Sequence, residues 1–151
     1  MVKYFLSGFV KQGYQVASGQ TPDPRFKQGS IALQKPLFKQ LGLDLDACFN
    51  GTINVNIKPY AFDIVRPDYT FHHVKWAKAM PAESFSFIQC QLMHRARFYP
   101  VLVYFPHPET KPDHFQSKST IELLSPYIVN MHYNDKVTVI IAQNTISLNK
   151  I

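Results

Sequence analysis

The sequence predicts a β-rich fold, all-β or a barrel, on three observations. Short apolar stretches alternate with polar residues at a period of two. Turn chemistry (Gly, Pro, Asn-Asp) separates them at short intervals. One short helix is expected, and no β-α-β rhythm that would build a parallel sheet is present. The clearest stretch is Gly51-Thr52-Ile53-Asn54-Val55-Asn56-Ile57. Ile53, Val55 and Ile57 share one face of a half-buried strand, and Thr52, Asn54 and Asn56 share the other. Those three short oxygen-bearing side chains either form a solvated strand face or offer a hydroxyl and amide carbonyls to a hard cation or polar ligand.

In chain order, residues 4–10 read as a first strand. Residues 17–30 read as loop, punctuated by Gly19, Pro22, Pro24 and Gly29. Residues 36–41 predict a short helix, with Pro36 in its first turn and Gly42 closing it. The 52–58 strand follows. Pro67 interrupts 65–69, and 70–77 reads as a strand anchored by Trp76. In 85–92 the alternation slips phase between Phe87 and Ile88, which predicts a bulge. Residues 99–105 are a nearly continuous apolar and aromatic run, the signature of a central strand. A Pro-rich loop spans 106–118, and 120–124 and 136–142 read as the last two strands. Asn134-Asp135 ahead of the second is turn chemistry, because both residues tolerate left-handed backbone angles. The expectation is a single domain over 1–151, with a barrel over about 3–143 and a short loose tail.

Of the 151 residues, 46% are hydrophobic, enough for a core without staples. The 16 Lys and Arg against 10 Asp and Glu give +6, which favours anionic partners. The basic residues are scattered singly, so a nucleic-acid interface is not expected. Cys48 and Cys90 make no disulfide framework. No apolar run reaches 18 residues, and residues 1–10 lack the features of a secretory leader. A cytoplasmic protein with two free thiols and no membrane association is therefore expected.

The familiar catalytic carriers are missing: there is no Gly-x-Ser-x-Gly elbow, P-loop or Gly-x-Gly-x-x-Gly turn. The loop from Gly13 through Ser18 to Gly19 can cradle a phosphate with backbone N–H groups, or serve simply as a turn. His107, Glu109, Asp113 and His114 carry metal-ligating chemistry in a segment where no helix or strand spacing orients them. The adjacent His72 and His73 face opposite ways on a strand and read as structural. Cys48 reads as a small buried hydrophobe.

The order of these pieces resembles one family. An opening strand runs into a Gly-containing loop, and a short helix ends in Leu41-Gly42-Leu43. Gly51-Thr52-Ile53-Asn54 follows. Later come a Pro-rich loop holding Thr110, then Ile121-Glu122-Leu123-Leu124-Ser125-Pro126, then the turn Asn134-Asp135-Lys136-Val137. This is similar to the CTP-dependent riboflavin kinases of archaea, whose pattern includes Gly-Thr-Leu-Asn and a later Glu-Ile-Ile-Ala-Pro. The resemblance spans residues 4–141. It implies a six-stranded cradle-loop barrel, of the riboflavin-kinase and translation-factor kind, with one or two short helices. It implies transfer of a phosphoryl group from a nucleoside triphosphate, CTP in the family, to riboflavin, giving FMN. It assigns Mg2+ to Thr52 and Asn54, flavin contacts to Thr110 and Glu122, and the nucleotide-facing loop to Gly13, Ser18 and Gly19. Glu122 becomes the candidate base for the acceptor hydroxyl, or the group that orients the ribityl chain. Phe105 or Phe115 would stack on the flavin ring. The chain departs from the pattern in three places, one being a longer loop around Thr110. Its first loop runs on through Thr21-Pro22-Asp23-Pro24, and residues 127–131 carry no Lys or Arg where the family is basic. A barrel that binds a flavin or nucleotide without turning it over is therefore the alternative expectation.

Overall fold

A computed structural model of the chain describes residues 2–11, 30–110 and 117–151. The elements are β1 (Lys3–Lys11), α1 (Ser30–Gln40), β2 (Ile53–Asn56), β3 (Tyr60–Ile64), β4 (Tyr69–Val74), β5 (Glu83–His94) and β6 (Arg97–Pro106). A 3-10 turn (Pro108–Thr110) follows, then β7 (Thr120–Leu124), β8 (Lys136–Ala142) and β9 (Ile146–Lys150). Seven strands form one antiparallel sheet in the order β4-β5-β6-β7-β2-β1-β8, and β8 pairs back onto β5. Six strands thus close into a ring: β5, β6, β7, β2, β1 and β8. The 12 residues of β5 make this possible. Its first half carries β4, through pairs such as Phe85 with Phe71, and its second half carries β8, through Gln91, Leu92 and Met93.

The interior of the ring is filled by alternate residues of its strands, among them Leu6, Val55, Ile88, Val103, Ile121 and Val139. Gly8 is required there. A Cβ at this position would lie 2.6 Å from both the Asn56 carbonyl oxygen and the Val55 side chain, so β1 and β2 approach closely only because residue 8 has none.

A second core lies outside the ring, between the sheet and α1. Phe38 of the helix sits edge-on to Phe85 and Phe87, with centroids 5.1 Å away in each case. Such pairs contribute about 0.5–1.5 kcal/mol each beyond their area burial. Leu124, Tyr104, Met80 and Trp76 complete this layer. Trp76 is the expected packing anchor, and its indole N–H donates to Glu83 at 2.6 Å. The two cores explain the phase slip in β5. The β5–β6 register is continuous from Phe85 to His94, so no bulge exists there. Phe85 and Phe87 face the helix and Ile88 faces the ring, and every residue from Glu83 to Ile88 is buried. A strand covered on both faces loses its alternation. The register irregularity falls instead in β4, between Phe71 and Val74, where His73 takes a φ of 55°.

The helix also corrects the sequence reading. It begins at Ser30, so Pro36 lies inside it rather than in its first turn. Pro36 is on the exposed side, where water can take the carbonyl that the missing N–H leaves unbonded. Gly42 closes the helix as expected, with φ of 107°. Leu43 N donates to Phe38 O at 2.9 Å and Gly42 N to Lys39 O at 3.1 Å, the paired bonds of a Schellman cap. Residues 120–124 and 136–142 form strands as read, and Asn134 takes the left-handed angle its turn requires. The C-terminal stretch is no loose tail: β9 pairs with β3 from Ile146–Ile64 to Lys150–Tyr60. Among the described residues no helix is long and apolar enough to cross a membrane.

Candidate functional site

Strand alternation and register place the residues of interest. In β2, Ile53 and Val55 point into the ring, so Asn54 faces outward beneath the helix side. Asn54 lies opposite Lys11 of β1 on one side and opposite Glu122 of β7 on the other. The β6–β7 register pairs Leu102 with Leu124 and Val103 with Leu123, and its continuation sets Tyr104 beside Glu122. Lys11, Asn54, Glu122 and Tyr104 thus form one row across four strands. Tyr104 donates its hydroxyl to Gln34 Oε1 of α1 at 2.7 Å, in a buried pair that ties the row to the helix. Burial pushes the Tyr104 phenol well up, and the negative charges of Glu122 and Glu83 push it further, so it stays protonated and keeps donating.

The Thr52 hydroxyl reaches Glu122 Oε1 at 3.4 Å, a long bond that leaves both oxygens near one point. Asn54 is 7% exposed, and its side-chain carbonyl oxygen is buried without a hydrogen-bond partner among the described residues. A buried orphan acceptor costs roughly 1–3 kcal/mol and calls for an explanation. Asn54 lies opposite Glu122 in the strand register, and Thr52, two residues before it, shares its face of the strand. Two neutral oxygens, of Thr52 and Asn54, suit a hard cation such as Mg2+, which keeps waters and phosphates in its remaining positions. The residues at this point therefore fit such an ion. Among the described residues, no three His, Cys, Asp or Glu side chains gather as a metal-holding group.

The structure thus brings Thr52, Asn54 and Glu122 together. Asn56 turns to a local task, its carbonyl oxygen accepting from Lys58 N at 2.9 Å. Gly13, Ser18 and Gly19 lie outside the described residues, as do Asp113, His114 and Phe115. Thr110 is placed elsewhere. Its hydroxyl donates to His107 O at 3.0 Å and accepts from Ser84 N at 2.9 Å, which binds the 107–110 turn to the start of β5. Phe105 packs against the ring interior and edge-on to Phe62. The sequence reading missed Lys11, Tyr104 and Gln34. Nothing local marks them, because only non-local strand pairing and the seating of α1 bring them to the row.

A second polar cluster joins β4, the first half of β5 and the turn after β6. Ser86 Oγ lies 2.7 Å from His107 Nε2 and 3.0 Å from Thr70 Oγ1, and His107 Nδ1 lies 3.3 Å from Glu109. The serine, histidine and carboxylate are ordered as in a nucleophilic relay, but Ser86 is 2% exposed and its hydroxyl is already shared with Thr70. The shared Ser86 hydroxyl therefore ties β4 to the residue that follows β6. His72 joins the cluster edge-on to His107, with centroids 6.3 Å apart. Both cysteines are free, as expected. Burial pushes the Cys90 thiol up to about 12 and raises that of half-buried Cys48 as well, so neither is an activated nucleophile. No family model matches this chain, and no curated protein matches it in sequence.

Proposed function

We propose that this chain is a riboflavin-kinase-like phosphotransferase that moves a phosphoryl group from a nucleoside triphosphate to the terminal ribityl hydroxyl of riboflavin. The observation that carries the reading is the buried Asn54 carbonyl oxygen, without a hydrogen-bond partner among the described residues, on a residue flanked in the register by Lys11 and Glu122. The closed ring of six antiparallel strands supports its assignment as a cradle-loop barrel.

Thr52 and Asn54 would hold Mg2+, which when bound neutralises phosphate charge and aligns the donor. Lys11, at the end of the row, supplies a positive charge for phosphate oxygens. Glu122 Oε1 accepts the proton of the acceptor hydroxyl as the oxygen–phosphorus bond forms and the nucleoside diphosphate leaves with the bridging electron pair. The Tyr104–Gln34 bond fixes the sheet against α1, so the row is held in place before substrate arrives. Thr110 retains a lone pair for the flavin contact that the resemblance assigns to it.

The absence of Lys and Arg from 127–131 favours a second reading, a barrel that binds the flavin or nucleotide without turnover. One experiment separates the two. The protein is incubated with riboflavin, Mg2+ and each of the four triphosphates, and FMN is read by chromatography. Turnover lost in Thr52→Ala/Asn54→Ala with the fold intact supports the kinase. Thermal stabilisation by flavin or nucleotide without FMN supports the binding barrel, and no turnover with any triphosphate refutes the kinase.

A further inference from the structure

β1 leaves two large apolar side chains in water. Leu6 and Val10 point into the ring, so Lys3, Phe5, Ser7, Phe9 and Lys11 point out. Phe5 is 68% exposed and Phe9 54%. Four residues apart on one extended strand, the two rings are roughly 13 Å from each other.

Strand pairing decides what surrounds them. Val137, Val139 and Ile141 of β8 point into the ring, so Lys136, Thr138 and Ile140 share the outward face with the two phenylalanines. Lys136 lies opposite Phe9, Thr138 opposite Ser7 and Ile140 opposite Phe5. Beyond β8, Gln91 of β5 lies opposite Ile140. Every charged residue on the outward faces of β1 and β8 is a lysine: Lys3, Lys11 and Lys136. Asp135, at the foot of β8, is engaged with buried His94, and Glu122 is two strands away from β1. The lysines are scattered in the sequence, and closure of the ring gathers them. Lys3 stands at one end of the aromatic row and Lys136, beside Phe9, at the other.

Charge and shape select the occupant. A second copy of the chain would set the same lysines against one another, which like-charge repulsion opposes. A polyanion is attracted instead. Exposed rings flanked by cations, with the hydroxyl and amide groups of Ser7, Thr138 and Gln91 among them, suit a strand whose unpaired bases stack while its phosphates meet the charges. A duplex keeps its base faces in its own stack and offers the rings nothing.

We propose that this face binds single-stranded nucleic acid, with bases on Phe5 and Phe9 and phosphates on Lys3 and Lys136. The surface stands independently of the phosphotransfer reading. The test is fluorescence anisotropy of the full chain in EDTA, which keeps any cation-dependent site at Thr52 and Asn54 silent. The probes are labelled RNA and DNA single strands of about 12 nucleotides and the duplex of the same length. At least one single strand should bind roughly ten-fold or more tighter than the duplex. Log affinity should fall against log salt with a slope of about −2 for three lysines, and of about −0.7 in Lys3→Gln/Lys136→Gln. Phe5→Ala and Phe9→Ala should each weaken binding about five-fold or more with the salt slope unchanged, and Phe5→Tyr/Phe9→Tyr should retain it. Both rings are exposed, so these variants should melt close to wild type. Lys118→Gln, which removes the partner of Asp63 away from this face, should bind as wild type does. Four results would each overturn the proposal: no single strand bound at roughly 0.1 mM, a duplex bound as tightly, binding undiminished in Phe5→Ala/Phe9→Ala, or a large drop in melting temperature in that variant, which would make the rings packing groups. Capture by phosphatidylserine vesicles without binding of either single strand would assign the face to a membrane surface and overturn it too. FMN formation enters none of these outcomes, so failure of the kinase reading and failure of this one are separable.

Discussion

Asn54→Leu inverts the usual consequence of altering a buried polar residue. In the wild-type chain the Asn54 carbonyl oxygen is buried without a partner among the described residues. Leaving such a group unsatisfied costs about 1–3 kcal/mol. Leucine removes that penalty and adds apolar burial beside the sheet, against which a modest overpacking term of similar size acts. The net expectation in EDTA is neutrality to a gain of about 1 kcal/mol, or a melting temperature higher by roughly 2–4 °C in a chain of this length. Mg2+ should reverse the order. An ion at 100 times its Kd adds about 2.7 kcal/mol to a protein that binds it only when folded, and the leucine variant offers it no carbonyl. The assay is thermal denaturation of both proteins with EDTA and across a Mg2+ series. A variant less stable by more than about 1 kcal/mol in EDTA would show that the amide is satisfied in solution. Equal stabilisation of both proteins by Mg2+ would place the ion elsewhere.

The other predictions are smaller in scope. Tyr104→Phe strands Gln34 Oε1 under the helix and should cost about 1–3 kcal/mol in urea denaturation, with the sheet intact. Gly8→Ala places a methyl 2.6 Å from a backbone oxygen, which has little freedom to yield, and should lose at least about 2 kcal/mol by the same measurement. The Asp135 carboxyl sits below its ordinary value of 3.8 because of the His94 bond first and the His132 N–H second. Its contribution is therefore present above the unfolded value and fades as pH falls through the lower folded one, so the gap in melting temperature between wild type and Asp135→Asn should be full at pH 6 and shrink at lower pH. A thiol-reactive dye at pH 8 should label Cys48 slowly and Cys90 only on unfolding, as read by peptide mapping.

The reach of the sequence differs from element to element. The strands at 120–124 and 136–142 were legible to the residue, because their alternation is bounded by turn chemistry on both sides. The strand around Asn54 and the Gly42 stop were legible for the same reason: each follows from a local rule about side-chain direction or backbone angle. β3 and β9 were not. Tyr60–Ile64 and Ile146–Lys150 lack strong alternation and become strands by pairing with each other across more than 80 residues. The start of α1 was hidden because Pro36 reads as a beginning, whereas the burial of Ile31, Gln34 and Phe38 against the sheet extends the helix past it. The apparent bulge in β5 was a true signal with a different cause, since a strand between two cores need not alternate.

For the site, the sequence by itself determined which side chains share the outward face of β2 and that Glu122 lies on a strand of the same phase as its neighbours. It could not determine that Asn54 and Glu122 are opposite one another, that Lys11 continues their row, or that Gln34 reaches Tyr104 from the helix. The reason is physical. A strand's period of two is written in adjacent residues, but its register against another strand is set by how the whole ring closes, and closure depends on β5 pairing with both β6 and β8. The same holds for the orphaned Asn54 oxygen. Residue type announces the chemistry, and only the packed neighbours decide whether that chemistry is left unsatisfied.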